Sequence, residues 1–144
     1  MKSKIKNLSF ALLIVSVFTG CVKDLTQTVY SGEALVEVAP TIARTLTVTT
    51  GVPLRDSILV QLVAPQRTTA TNVNYSIGAA STALPAEYTV LTASPVAIAP
   101  ATSSTWIKFV FTKPPAQRTL VVTLTGGDNV KPSVNFQTFT YTIR

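Results

Sequence analysis

The chain has 144 residues, of which 47% are hydrophobic, and this is enough for the core of one domain but not of two. The formal net charge is +6, but the nine basic and six acidic residues that follow Gly20 leave only +3. Because those nine basic residues are scattered singly, the composition excludes a polybasic patch and predicts no nucleic-acid partner.

The first twenty residues follow the layout of a signal peptide. A basic start, MKSKIKN, precedes the apolar run LSFALLIVSVF, and the small residues TG come next. As a helix, the apolar run from Leu8 to Phe18 would rise about 16 Å, roughly half of a ~30 Å hydrocarbon core. We therefore predict a cleaved signal peptide over residues 1–20 and not a membrane span.

Cys21, the single cysteine of the chain, follows this segment in the stretch FTGC. FTGC resembles the bacterial lipobox, although the lipobox most often has leucine where this chain has Phe18. The resemblance implies cleavage before Cys21 and a diacylglyceryl group on its sulfur; the alternative is a chance cysteine in an ordinary secretory signal. Two or three acyl chains hold a protein on a membrane almost permanently. A lone cysteine also excludes an internal disulfide.

The residue after Cys21 bears on the destination of such a lipoprotein. In some bacteria an aspartate at that position retains lipoproteins in the inner membrane, but here the residue is Val22. We therefore predict a lipid-anchored protein of the outer membrane, on its periplasmic or its cell-surface face.

Residues 21–32 keep no sustained period of two or 3.6, which is typical of a tether. The eleven residues of VKDLTQTVYSG reach about 36 Å at most when extended. Val29 and Tyr30 could instead pair as an edge strand.

Residues 33–144 alternate apolar and polar positions in short runs rich in threonine and valine, which predicts β-strands. The interleaved threonines of the last two runs are expected to face outward. By parity, the residues expected in the core are Ala34, Val36, Val38, Leu46, Val48, Ile58, Val60, Leu62, Val73, Tyr75, Ile77, Tyr88, Val90, Val96, Ile98, Ile107, Phe109, Phe111, Leu120, Val122, Leu124, Phe139, Tyr141 and Ile143.

The same region contains no window with helical periodicity, so the predicted class is all-β. Turns are expected at TTGVP, VAPQR, SPVAIAP, TKPPAQ and TGGDN, where proline and glycine interrupt the runs. Seven to nine short strands favour an immunoglobulin-like, two-sheet antiparallel sandwich over a small barrel.

The segment from Leu59 to Ile143 resembles a group of uncharacterised Bacteroidetes lipoproteins whose domain is similar to Calx-beta and other immunoglobulin-like sandwiches. The resemblance is carried by the order of VQLVAP, a strand with Tyr75, STALPAEYT, a hairpin at VAIAPATSS, and TLVVTLTGG. It implies the sandwich fold and an envelope location. It also implies a role beside outer-membrane glycan-uptake or surface-assembly machinery.

Calcium binding, which some Calx-beta domains perform with clustered acids, is not expected here. The chain has six acidic residues, no two within three positions of each other, and Ca²⁺ takes six to eight oxygen ligands. Glu87 lies in PAEYT, and Asp128 in GGDN is expected to be a turn residue. We predict no metal and no cofactor.

Catalytic groups are equally scarce. The chain contains no histidine, and its one thiol is the predicted lipid site, so we expect no enzyme and no catalytic residues. A carboxylate pair drawn from Asp56, Glu87 and Asp128 would be the remaining route to hydrolysis.

Trp106 is the one candidate ligand-binding residue. By parity it lies opposite Ile107, on the face that carries Lys108, where a tryptophan can stack on a sugar or anchor a protein interface. The simpler expectation is that a loop or the other sheet covers it, and the same holds for Tyr30 and Phe136.

Two functions follow as hypotheses. The first is a non-catalytic envelope lipoprotein that binds or scaffolds an outer-membrane partner. The alternative is a glycan-binding or adhesin module that acts through exposed aromatic residues such as Trp106.

Overall fold

Ten strands form the framework of residues 32–144, the part of the chain that the computed structural model describes. The predictions of a signal peptide over residues 1–20, of a lipid on Cys21, and of an edge strand at Val29 and Tyr30 concern residues outside the described part of the chain. The strands are β1 (Leu35–Ala39), β2 (Ala43–Leu46), β3 (Leu54–Val63), β4 (Thr71–Ile77), β5 (Tyr88–Val90), β6 (Val96–Ile98), β7 (Ser104–Phe111), β8 (Arg118–Gly127), β9 (Lys131–Pro132) and β10 (Thr138–Ile143).

These strands form two five-stranded sheets, which confirms the predicted all-β sandwich. Sheet 1 has the order β5-β7-β3-β1-β9 and sheet 2 the order β2-β10-β8-β4-β6. The strand count is ten, one above the upper end of the seven to nine expected, because the two-residue edge strand β9 carries little sequence signal. Consecutive strands always lie in opposite sheets, so the expected hairpin between β6 and β7 is wrong.

Strand pairing is antiparallel except at two sheet edges. β9 pairs with β1 in parallel, and β2 pairs with β10 in parallel. The first of the two pairs joins only Leu35 to Lys131 and Val36 to Pro132. The expectation of a purely antiparallel sandwich is therefore corrected at these two edges, where the chain runs in the direction of its neighbour.

The core lies between the sheets and consists of the residues that alternation placed there. β7 has Ile107, Phe109 and Phe111 fully buried, and the other long strands repeat the pattern. Half-buried members of the predicted set pack against this core at its margin: Ala34, Ile77, Tyr88 and Val90. Val130, in the turn after β8, is a core residue that the parity argument did not include.

Four aromatic side chains fill the centre of the sandwich. The ring of Tyr141 lies 4.8 Å from those of Phe111 and Phe139 and 5.8 Å from that of Phe109. The Tyr141 contacts are tilted or edge-on, the geometry that ring quadrupoles favour. These contacts join β7 of sheet 1 to β10 of sheet 2.

The turn predicted at TGGDN begins inside β8, where two glycines have different roles. Gly126 has a φ of +89°, in the left-handed region that other residues rarely adopt. At Gly127, an added Cβ would lie 1.8 Å from the carbonyl oxygen of Asn72, so only glycine fits. The turn therefore brings β8 close to β4 beside an irregularity in their register.

Residues 32–144 include no helix with the length and hydropathy needed to cross a membrane. The outward threonines of β8 and β10 are half-buried on the outer face of sheet 2, apart from the exposed Thr125.

Candidate binding groove on sheet 1

Trp106 lies on the outer face of sheet 1, as its position in the alternation of β7 predicts. Its side chain is 46% exposed. The expectation that a loop or the other sheet covers this residue is therefore wrong. Lys108 shares the face and is also exposed. The buried side chains of β7 hold the strand in place from the opposite side.

The neighbours of Trp106 across the sheet have apolar side chains that are smaller than the indole. Trp106 pairs with Leu59 of β3, which in turn pairs with Ala39 of β1. Both neighbours are half-buried and point outward, because their chain neighbours face the core. The indole therefore projects above a short apolar row formed by Leu59 and Ala39, whose side chains are too short to cover it.

A groove of about 570 Å³ runs beside Trp106, between β7 and the segment that joins β5 to β6. We call it the Trp106 groove. Its lining residues are Leu91, Thr92, Ala93, Pro95, Val96, Ala97, Thr105, Trp106 and Lys108.

Hydrogen bonds fix the outer wall of this groove to both sheets. The Tyr75 hydroxyl of β4 donates to the carbonyl of Thr92, and the Tyr75 amide donates to the Ser94 hydroxyl at 2.9 Å. On the other side, the Leu91 amide donates to the carbonyl of Lys108 at 2.8 Å. The Lys108 amide donates to the Thr92 hydroxyl at 3.2 Å. The wall is therefore preorganised before any ligand arrives.

The backbone of β7 adds polar groups to the groove. β5 pairs with β7 only from Phe109 to Phe111. Lys108 directs its backbone groups toward this edge, and in an antiparallel strand Trp106, two residues earlier, directs its own the same way. Among residues 32–144, no strand pairs with this edge at Ser104 or Trp106. The amide and carbonyl of Trp106 thus face the groove as a donor and an acceptor.

A second, smaller pocket continues the groove. Its volume is about 240 Å³, and its lining is Arg55, Asp56, Ser57, Leu91, Lys108 and Phe109. We call it the cationic pocket. Leu91 and Lys108 line both cavities, so the two share a wall.

The carboxylate of Asp56 belongs to a bridge between the sheets. Arg44 of β2 donates from one guanidinium nitrogen to both oxygens of Asp56, at 2.5 and 2.8 Å. The guanidinium also lies 5.9 Å from the ring centroid of Phe139. Asp56 is thus paired with Arg44 and leaves the charge of the cationic pocket to Arg55 and Lys108.

The other two acids considered for hydrolysis have structural partners. Glu87 is buried, accepts a hydrogen bond from the Leu84 amide at 2.8 Å, and lies 3.5 Å from Arg118. Asp128 accepts from the Asn72 amide at 3.1 Å, which fits its expected turn role. Asp56, Glu87 and Asp128 lie in three separate contacts, so no carboxylate pair forms. In residues 32–144, no three histidine, cysteine or acidic side chains cluster as a metal site would require.

Two buried tyrosines carry the shifted ionisations. Burial raises the pKa of Tyr75. Burial and then the negative charge of Asp56 raise the pKa of Tyr141, while Arg44 opposes the shift. Both phenols therefore stay neutral in the folded protein, in keeping with structural roles.

A third cavity lies at one end of the sandwich and has a different character. It measures about 630 Å³ and is lined by the β2–β3 and β7–β8 loops, with three prolines and Val52. Lys113 is its one charged lining residue. It lacks an aromatic side chain and a cation pair, so the Trp106 groove offers the more specific chemistry.

Sequence reasoning identified Trp106 and missed its surroundings. Arg55, Ser57 and Leu91 reach the site through strand register and a crossing connection, which no local pattern encodes. Phe136, also 44% exposed, lies on the loop beyond β9 at the other edge of sheet 1, so the two exposed aromatics do not share a site.

Comparison with solved structures places the fold. The apo form of the Calx CBD1 domain superimposes with a TM-score of 0.60 at 12% identity, over 78% of this chain and 96% of that one. The Calx CBD2 domain gives 0.57 at 11% identity, over 76% and 85%. The fold is that of a Calx-beta domain.

A third Calx-beta structure, CBD12 from CALX1.2, gives a TM-score of 0.57 at 14% identity, over 76% of this chain and 43% of that longer one. No protein-family model and no curated protein sequence matches the chain. At these identities the likeness to Calx-beta domains concerns the fold alone.

Proposed function

We propose that this protein is a non-catalytic lipoprotein domain, anchored to a bacterial outer membrane through lipid on Cys21, that binds or scaffolds a partner. Its resemblance to Bacteroidetes lipoproteins suggests a place beside glycan-uptake or surface-assembly machinery. The observation that carries the binding role is the preorganised groove with an exposed Trp106. The absence of histidine from the whole sequence supports a role without acid–base chemistry.

Anchoring is tested by expressing the full chain in a Bacteroidetes host beside Cys21→Ser. We expect the wild type to partition into detergent and to yield an N-terminal peptide with a lipid-modified cysteine. The variant should stay in the aqueous phase, and Thr26→Ser, outside the lipobox, is the matched control. Retention of Met1 or an unmodified Cys21 would contradict the proposal.

The leaflet is tested by protease shaving of intact cells. Loss of the domain means that it faces outward, and protection means that it faces the periplasm. A periplasmic control protein must stay intact in the same sample. Recovery of the domain from the inner-membrane fraction would remove the outer-membrane assignment.

The second candidate function is direct glycan binding. It is favoured by the 46% exposure of Trp106, because a flat aromatic face beside polar groups suits a sugar ring. On a glycan array we expect binding by the wild type that Trp106→Ala removes. Phe136→Ala is the matched control, since that side chain is exposed to a similar degree at another edge. Co-purification with an outer-membrane protein, without any affinity for sugars, would rule out glycan binding and retain only the scaffolding function.

A further inference from the structure

The two cavities beside β7 form one elongated surface, which runs from the β6 edge of sheet 2 to the outer face of sheet 1. The Trp106 groove and the cationic pocket share Leu91 and Lys108. Trp106 and Lys108 are two residues apart on one face of β7, about 7 Å along the strand. Lys108 pairs with Ser57, and Arg55 is the next outward residue of β3. An extended ligand on the indole would therefore reach both cations.

The two cations have no carboxylate partner in residues 32–144. The three ion pairs of this part of the chain join Arg44 to Asp56, Arg118 to Glu87 and Lys131 to Glu33. Asp56 lines the cationic pocket, but Arg44 binds both of its oxygens. Arg55 and Lys108 therefore give the pocket a net positive charge.

In the part of the chain that the structure describes, one further carboxylate lies on this face, and it is too far from Arg55 and Lys108 to neutralise them. Glu37 belongs to β1, two strands from β7, and its row across the sheet meets β7 at Ser104. Lys108 is four residues farther along β7. The separation is about 16 Å from the strand spacing and rise, which exceeds a Debye length of about 8 Å at physiological salt.

We propose that the groove selects anionic glycans, with a sugar ring on Trp106 and a carboxylate or sulfate group at Lys108 and Arg55. The inference rests on the glycan-binding candidate above and specifies its ligand class. Hydroxyls of Ser57, Thr92 and Thr105, with the free backbone groups of Trp106, supply partners for sugar hydroxyls.

An acidic peptide is the competing ligand, and the shape of the site disfavours it. Protein anchors bind in well-packed, desolvated pockets, whereas this groove is open to solvent and has Thr92, Thr105 and Lys108 in its lining. A sugar ring has an apolar face and a polar rim, which matches an indole on an apolar row with hydroxyl groups and Lys108 beside it.

The test uses the full-length protein in detergent with three polysaccharide probes: polygalacturonate, dextran sulfate and neutral dextran. We expect at least one anionic probe to bind about tenfold more tightly than dextran, with affinity falling as salt rises. A preference for polygalacturonate identifies carboxylate as the recognised group, and a preference for dextran sulfate identifies sulfate.

Three variants assign the contacts. Lys108→Gln and Arg55→Gln should each weaken the preferred anionic probe about twofold to fivefold and leave dextran unchanged. Lys113→Gln, an exposed lysine on the β7–β8 loop that lines neither cavity, should have no effect. Trp106→Ala should abolish binding of every probe, and thermal unfolding must show that each variant folds.

Several outcomes would overturn the anion preference. Equal affinity for dextran and both anionic probes would do so while keeping the glycan function, provided that Trp106→Ala still abolishes binding. An equal loss in Lys113→Gln would show non-specific charge attraction. Polyglutamate binding as tight as the best polysaccharide, and insensitive to Trp106→Ala, would make the site a peptide site. No binding to any probe would remove both the inference and the glycan function, and leave the anchored scaffold.

Discussion

The two faces of β7 differ in nearly every physical property, although they belong to the same eight residues. The inner face places Ile107, Phe109 and Phe111 in the core, where water does not reach them. The outer face places Trp106 and Lys108 in a groove open to solvent. A period of two therefore separates stability from recognition along one strand. Substitutions on the two faces should have separable effects.

The largest expected effect comes from a substitution on the inner face of β7. Phe109→Ala should lower the free energy of unfolding by about 3–5 kcal/mol, because it removes a fully buried ring that packs against Phe111 and Tyr141. Trp106→Ala, on the outer face, should cost less than about 1 kcal/mol. Urea unfolding of both variants checks the comparison. Equal losses would mean that Trp106 is part of the core.

The next effect concerns Asp56, the charged residue of β3 that pairs with Phe109 of β7. Asp56→Asn should destabilise the protein by about 1–2 kcal/mol, because it removes the charge that receives two hydrogen bonds from Arg44. Part of the loss should disappear at high salt, since the Arg44 side chain is 42% exposed. Glu37→Gln, an acid on the outer face, is the matched control. A control loss of the same size would assign the effect to net charge.

A smaller effect tests how the groove wall is held. Tyr75→Phe removes the hydrogen bond to the Thr92 carbonyl and should cost about 1 kcal/mol. The informative readout is faster hydrogen exchange at the Leu91 and Lys108 amides, whose partners lie in this wall and on β7. Ser81→Ala removes an acceptor for the Val121 amide on β8 and should leave those two amides unchanged. Unchanged exchange in Tyr75→Phe would mean that β7 alone holds the wall.

The smallest effect at neutral pH belongs to Tyr141. Its hydroxyl is buried near Asp56 without a hydrogen bond of good geometry, so Tyr141→Phe should change stability by less than about 1 kcal/mol. The difference should emerge at alkaline pH. The folded state raises the pKa of Tyr141 above the ordinary value of 10.0, so stability is full below that pH and falls as pH rises past it.

Urea midpoints measured across alkaline pH, together with tyrosinate absorbance, check this dependence. Tyr141→Phe should retain more stability there than the wild type. If the wild type ionised all its tyrosines while still folded, the buried phenol could not be the cause.

The core shows how much of the fold the local alternation of apolar and polar residues predicts. Alternation placed Val36, Ile58, Phe109 and Tyr141 in the interior, because a pleated strand must turn every second side chain to the same face. It also placed Trp106 outside. It failed where pairing matters: the expected hairpin between β6 and β7 instead crosses from one sheet to the other.

The groove and the cationic pocket show more clearly what the sequence pattern cannot predict. Trp106 could be proposed from its own strand, but Arg55 and Leu91 could not, because they come from β3 and from the connection after β5. The exposure of the indole also depends on where that connection runs. Such contacts join residues far apart in the chain, and only the folded arrangement of strands specifies them.

By itself, the sequence determined which residues form strands, which face of each strand is apolar, and which chemical groups the protein lacks. These properties depend on residue type and on spacing within a few positions. The tertiary structure alone decided which strands are neighbours. Strand pairing in turn creates the groove, brings its two cations together and places Arg44 where it neutralises Asp56. The reason is that strand pairing is non-local, whereas side-chain alternation is a property of each strand separately.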